Sequence, residues 1–160
     1  MKCFHLIAHG RLIAIALAAF VLVSSIATAG LTSSASPYAR MPSKGDTVRF
    51  DGSVGGEKFG WAFYNEDWLQ TYLRFTIEAA RNPSVFSKSQ AALAEIGHHS
   101  LELPNGTQGL VEEVKAFQYG GREDVQVRVL VQNGDLHGSE VWTTAAELVD
   151  KSGKVYLKPS

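Results

Sequence analysis

The sequence predicts a mainly β domain with an α insertion, a small antiparallel barrel in which a helical pair separates the first strands from the later ones. Three observations predict it. From Leu103 to Leu148 short apolar segments are divided by Asn-Gly, Gly-Gly and single Gly residues, which is how an antiparallel meander reads. Upstream, Val48 and Phe50, then Phe59, Trp61 and Phe63, recur at the period of two expected of strands. Between them, over residues 65–97, the apolar spacing changes to three and four, the period of helices.

The chain opens with the three parts of a secretory signal peptide. Lys2 and Arg11 give a basic start, Leu12 to Val23 is uninterrupted apolar sequence, and Ala27-Thr28-Ala29 is a small-x-small cleavage site. Residues 1–29 are therefore expected to be removed on export to the periplasm or the medium, and the apolar run is shorter than the roughly 20 residues of a membrane-spanning helix. Cys3 precedes that run, so it is not placed for lipid attachment. Residues 30–43, rich in Ser, Thr, Ala and Pro, are expected to form a flexible leader, and residues 44–160 a single domain.

Within that domain Asp46–Phe50 and Lys58–Tyr64 are the first two strands, with Gly52–Gly56 between them. In the second, Phe59, Trp61 and Phe63 share the side expected to pack in the core, or to form a binding platform, while Gly60 and Ala62 share the other. Asn65 suits a helix cap and Glu66 and Asp67 suit the first turn. Trp68, Leu69, Tyr72, Leu73, Thr76, Ala79 and Ala80 make an inner stripe in a helix that ends at Asn82 before Pro83. A second helix is expected from a Ser87/Gln90 capping box to a left-handed stop at Gly97. Then come strands at Ser100–Leu103, Leu110–Tyr119, Val125–Val131 and Glu140–Thr143, a helical turn in Thr144–Val149 and a last strand near Val155–Leu157. Val111, Val114 and Phe117 break strict alternation, which predicts a bulge near Glu112-Glu113.

Composition narrows the function. Export removes Lys2 and Arg11 but no acidic residue, leaving 13 Lys and Arg against 16 Asp and Glu, a formal charge of −3. That balance, without a basic cluster, argues against nucleic acid. The single cysteine leaves with the signal, so no disulfide is expected. No nucleophile elbow or phosphate-cradling glycine loop is present, and no cofactor is expected. His98, His99, His137 and Glu102 are metal-ligand types, but adjacent histidines in a strand point to opposite faces, so a metal site is not expected. The neighbouring carboxylates Glu66-Asp67, Glu112-Glu113 and Glu123-Asp124 read as solvated charge.

The run Leu103-Pro104-Asn105-Gly106-Thr107, then Gly109, Val111 and Val114, the V-x-V-x-V strand at Val125–Val129, Gly134, Gly138, Trp142 and Leu148 resembles the bacterial SH3-like barrels. The resemblance covers roughly residues 100–150, and the helical pair departs from a minimal barrel. It implies an aromatic-lined groove for extended peptides or glycan-linked peptides, to which Tyr64, Tyr119 and Trp142 would contribute. A tryptophan ending a barrel strand also serves to close a core. The expected protein is thus an exported, noncatalytic binding module whose partner is a peptide, cell-wall component or envelope protein. Its alternatives are a small extracytoplasmic hydrolase, metal dependent through His98, Glu102 and His137, or an inhibitor or accessory subunit docking through its helix pair.

Overall fold

A computed structural model describes residues 40–84 and 89–156. Its seven strands form one antiparallel sheet curled into a half-barrel: β1 (Thr47–Phe50), β2 (Phe59–Phe63), β3 (Ser100–Pro104), β4 (Gln108–Tyr119), β5 (Arg122–Val131), β6 (Glu140–Thr144) and β7 (Leu148–Val149). The spatial order is β3-β2-β6-β5-β4-β1-β7. Helices α1 (Glu66–Arg81) and α2 (Gln90–His98) stand between β2 and β3 in the chain. A mainly β fold with a helical insertion is what the sequence predicted.

The longest hairpin, β4–β5, turns at Gly120-Gly121, where both residues have positive φ (56° and 74°), as the tight turn that matches strand twist requires. Its register runs evenly except between Val111 and Glu113, where Glu112 is an extra residue. That bulge explains the spacing in β4. Val111 faces Val129 and Val114 faces Val127 on the inside of the curl, whereas Phe117 lies opposite Asp124 and packs on the outside.

Two apolar clusters follow. Inside the curl, Val48, Phe50, Ala62, Leu103, Val111, Val127, Val129, Val131, Val141 and Leu148 are buried together. Outside it, Phe63, Phe117 and Trp142 meet Leu69, Leu73 and Ile77 of α1 and Ile96 of α2. β2 therefore lies between two cores: its aromatic side packs as expected at Phe63, in the outer cluster, while its small residues face the inner one. Gly60 and Ala62 face the inside, because Phe50 fills the space beneath them: a Cβ on Gly60 would lie 3.2 Å from its ring. The aromatics face outward. Phe63 lies under α1, and Phe59 and Trp61 are half-buried in edge-to-face contact at 5.2 Å.

The bounds of α1 follow the expected local chemistry: the Asn65 side chain accepts the Trp68 N–H, and Asn82 closes the helix. α2 differs. Ser89 precedes it without a side-chain cap, Ser87 lies outside the described residues, and Gly97 sits inside the helix, which runs on to His98. No left-handed stop is needed because Ser100 Oγ donates to the Gly97 carbonyl at 2.9 Å and the His99 ring stacks on Trp68 at 3.9 Å. After β7, Val155 makes only a single bridge to Val149, and Leu157 lies outside the described residues.

The expected signal peptide, residues 1–29, and most of the expected leader lie outside the described residues. Residues 40–43 are held: Arg40 pairs with Asp46 at 2.8 Å and Pro42 is buried. Among the described residues no helix is long and apolar enough to cross a membrane.

Candidate functional site

The three aromatics expected to line a groove occupy different environments. Tyr64 follows β2 directly and is 58 % exposed. Its neighbours are fixed on both sides: Phe63 pairs with Trp142 across β2–β6, and Asn65 caps α1. Tyr119 ends β4, half-buried against the outer cluster, with the Arg74 guanidinium 5.8 Å from its ring centre. Trp142 is 9 % exposed, covered by the α1 layer and by Lys115, whose ammonium lies 4.8 Å from the ring centre. Trp142 is thus a packing residue whose ring meets a cation, and among the described residues Tyr64 is the large hydrophobic side chain that reaches solvent.

Around Lys115 the outer face becomes polar. Lys115 Nζ contacts Glu66 at 2.7 Å and Glu113 at 3.2 Å, and Arg128 contacts Glu140 at 2.7 Å. Gln126, 1 % exposed, meets Gln70 at 3.5 Å through its oxygen, and its Nε2 has no partner. The acidic pair Glu112-Glu113, expected to be solvated charge, is recruited here to Lys115 and Arg128.

A residue with no special mark in the sequence stands out at the opposite side of β6. Glu147, in the 3-10 turn Ala145–Glu147, accepts the Trp61 N–H at 2.9 Å. Burial pushes its carboxyl up to about 7; the Trp61 N–H pulls it down, and the negative charges of Glu57, Asp124 and Asp51 push it further up. Asp124 is likewise raised by burial and lines a cavity of about 50 Å³ with Met41, Ala145 and Tyr156. That volume suits one or two waters rather than a substrate. Tyr72, half-buried against the outer cluster, is pushed up to about 12 by the loss of water around its phenol and by the charges of Glu147 and Asp124. The one hint of Glu147 in the sequence is a lone charge among Ala145, Ala146 and Leu148.

The histidines are dispersed. His99 stacks on Trp68 and contacts Glu95 at 3.3 Å, while His98 ends α2 and His137 lies exposed in the β5–β6 loop. Among the described residues no group of three or more His, Cys, Asp or Glu is placed to hold a metal ion.

No family model matches the chain, no curated protein matches it, and no solved structure matches it.

Proposed function

We propose that the chain is an exported, noncatalytic interaction module on an SH3-like scaffold of bacterial type, which receives an extended peptide, free or carried by the cell wall or an envelope protein. The observation that carries this reading is Tyr64, a large aromatic left 58 % exposed between two rigidly held neighbours. An anchor whose backbone is fixed in advance loses little entropy on binding, and tyrosine combines broad apolar area with a polar tip. Tyr119 with Arg74 adds a second aromatic and a cation within the same outer layer. The three-part signal sequence supports export, and the net acidity of the exported chain favours peptides with basic groups over nucleic acid.

The test is hydrogen exchange and titration calorimetry with cell-wall stem peptides and basic model peptides. Binding with new protection at Tyr64, abolished by Tyr64→Ala at unchanged thermal stability, is the expected result. Binding that survives Tyr64→Ala, or protection confined to α1, would replace this reading with docking through the helix pair.

A further inference from the structure

The sheet ends on two outer strands, β7 and β3. The chain closes the first itself: Val155 bridges Val149, and the Tyr156 N–H reaches the Leu148 carbonyl at 3.3 Å. β3 differs. Among the described residues it pairs only with β2, Ser100–Pro104 running against Phe59–Phe63.

Which backbone groups of β3 face outward follows from β2. Trp61 lies opposite Glu102, yet it gives its N–H to Glu147 Oε2 at 2.9 Å and takes the Thr143 hydroxyl on its carbonyl at 2.6 Å, both away from β3. Opposite residues of an antiparallel ladder alternate between exchanging both backbone bonds and exchanging neither, so Trp61 and Glu102 are a pair of the second kind. The Asn105 N–H on the Lys58 carbonyl, an odd number of positions along, agrees. Glu102 therefore turns its N–H and C=O to the open edge, and alternation turns Ser100 the same way. The side chains of Leu103 and Leu101 belong to the inner cluster. That of Glu102 shares the outer face with Trp61; it is exposed and, among the described residues, has no ion pair or hydrogen bond. Behind it the rings of Trp61 and Phe59 stay half-buried in their edge-to-face contact.

We propose that β3 is a docking edge for an extended peptide, which adds as an antiparallel strand with a Lys or Arg opposite Glu102 and an apolar residue on either side of it. This rests on the reading of the chain as a receiver of extended peptides and fixes where the peptide backbone lies. The residue opposite Glu102 exchanges both backbone bonds with it, so its side chain stands beside the Glu102 carboxylate, with Trp61 and Phe59 beyond. Its two neighbours point to the inside of the curl and extend the row of Leu101 and Leu103. Charge selects the occupant. A second copy of β3, in the register that uses the whole strand, sets Glu102 against Glu102, and residues 30–39 of the chain itself have no Lys or Arg to offer.

The test is residue-resolved amide exchange and NMR titration of the exported chain, residues 30–160, with a synthetic peptide centred on Thr-Val-Lys-Val-Thr. Exchange should slow at Glu102, with little change at Leu101 and Leu103, whose N–H groups already face β2, and none at Val149. Exchanging the peptide Lys for Glu should weaken binding about fivefold, and methylating the Lys backbone nitrogen should abolish it. Glu102→Lys, at an exposed position, should reverse the preference between the two peptides. Tyr64→Ala separates the edge from the anchor: slowed exchange at Glu102 that persists in this variant upholds the edge without Tyr64, whereas protection at Tyr64 alone upholds the anchor and overturns the edge. Protection of Glu102 in the free chain would mean that another segment already covers β3, protection rising with protein concentration alone would give the edge to a second copy, and binding of neither peptide would leave it without an occupant; each overturns the proposal.

Discussion

Gln126 shows how a single residue departs from what its neighbours in sequence imply. On β5 it alternates with inward valines, which marks it as an outward, solvated position, yet α1 lies over it and leaves it 1 % exposed with an unanswered Nε2. A buried donor without a partner costs about 1–3 kcal/mol, and the 3.5 Å contact through its oxygen returns little of that. Gln126→Met preserves length and flexibility and removes the orphan, while Gln70 retains Glu66 at 3.0 Å. The expected outcome is a urea midpoint raised by the equivalent of about 1 kcal/mol at unchanged m-value. A lowered midpoint would mean that the amide is answered in solution. Tyr64 and Trp142 were equally visible in the sequence as aromatics, but which reaches solvent depends on where α1 lies, and residue type carries no record of that.

At the scale of elements, what was legible was what local chemistry decides. The start and end of α1 follow from Asn65 and from Asn82 before Pro83, and the β4 bulge follows from Val111 and Val114 being three apart. Asn65→Ala should cost about 1 kcal/mol, read from denaturant unfolding, since it leaves the Trp68 N–H without its cap. A cost near zero would show that packing of Trp68, not the cap, fixes the helix start. What was not legible is what a distant element decides. The end of α2 depends on His99 reaching Trp68, so Gly97 was a false stop. In β2 a period of two says which residues share a face, and Phe50, from another strand, decides that the small ones turn inward.

For the whole molecule, Glu147 gives stability a pH dependence of unusual sign for a carboxyl. Its value rises on folding from 4.5 to about 7, so between those limits the native state holds a proton that the unfolded chain has lost. Stability therefore falls as pH rises through that window and levels off above it, by about 2 kcal/mol after allowing for partial exposure. Asp124, also raised by burial, acts in the same direction. Urea unfolding at pH 5 and pH 8 should show this loss, and Glu147→Gln should remove most of it; greater stability at pH 8 would contradict the assignment. The sequence offered no route to this feature, because Trp61 and Glu147, 86 positions apart, meet only when the sheet curls.

The sheet order also separates near from far along the chain. β4 and β5 meet through a two-glycine turn, whereas β1 and β7 join Arg49 to Val149 across almost the whole domain. Local contacts form at small loop-closure cost and distant ones at greater cost, so the hairpin is expected to assemble early and the β1–β7 edge to seal last. In chevron kinetics Val127→Ala should chiefly slow folding, whereas Val149→Ala should chiefly speed unfolding. The chain thus completes the part that bears α1 before it closes the edge that joins its first strand to its last.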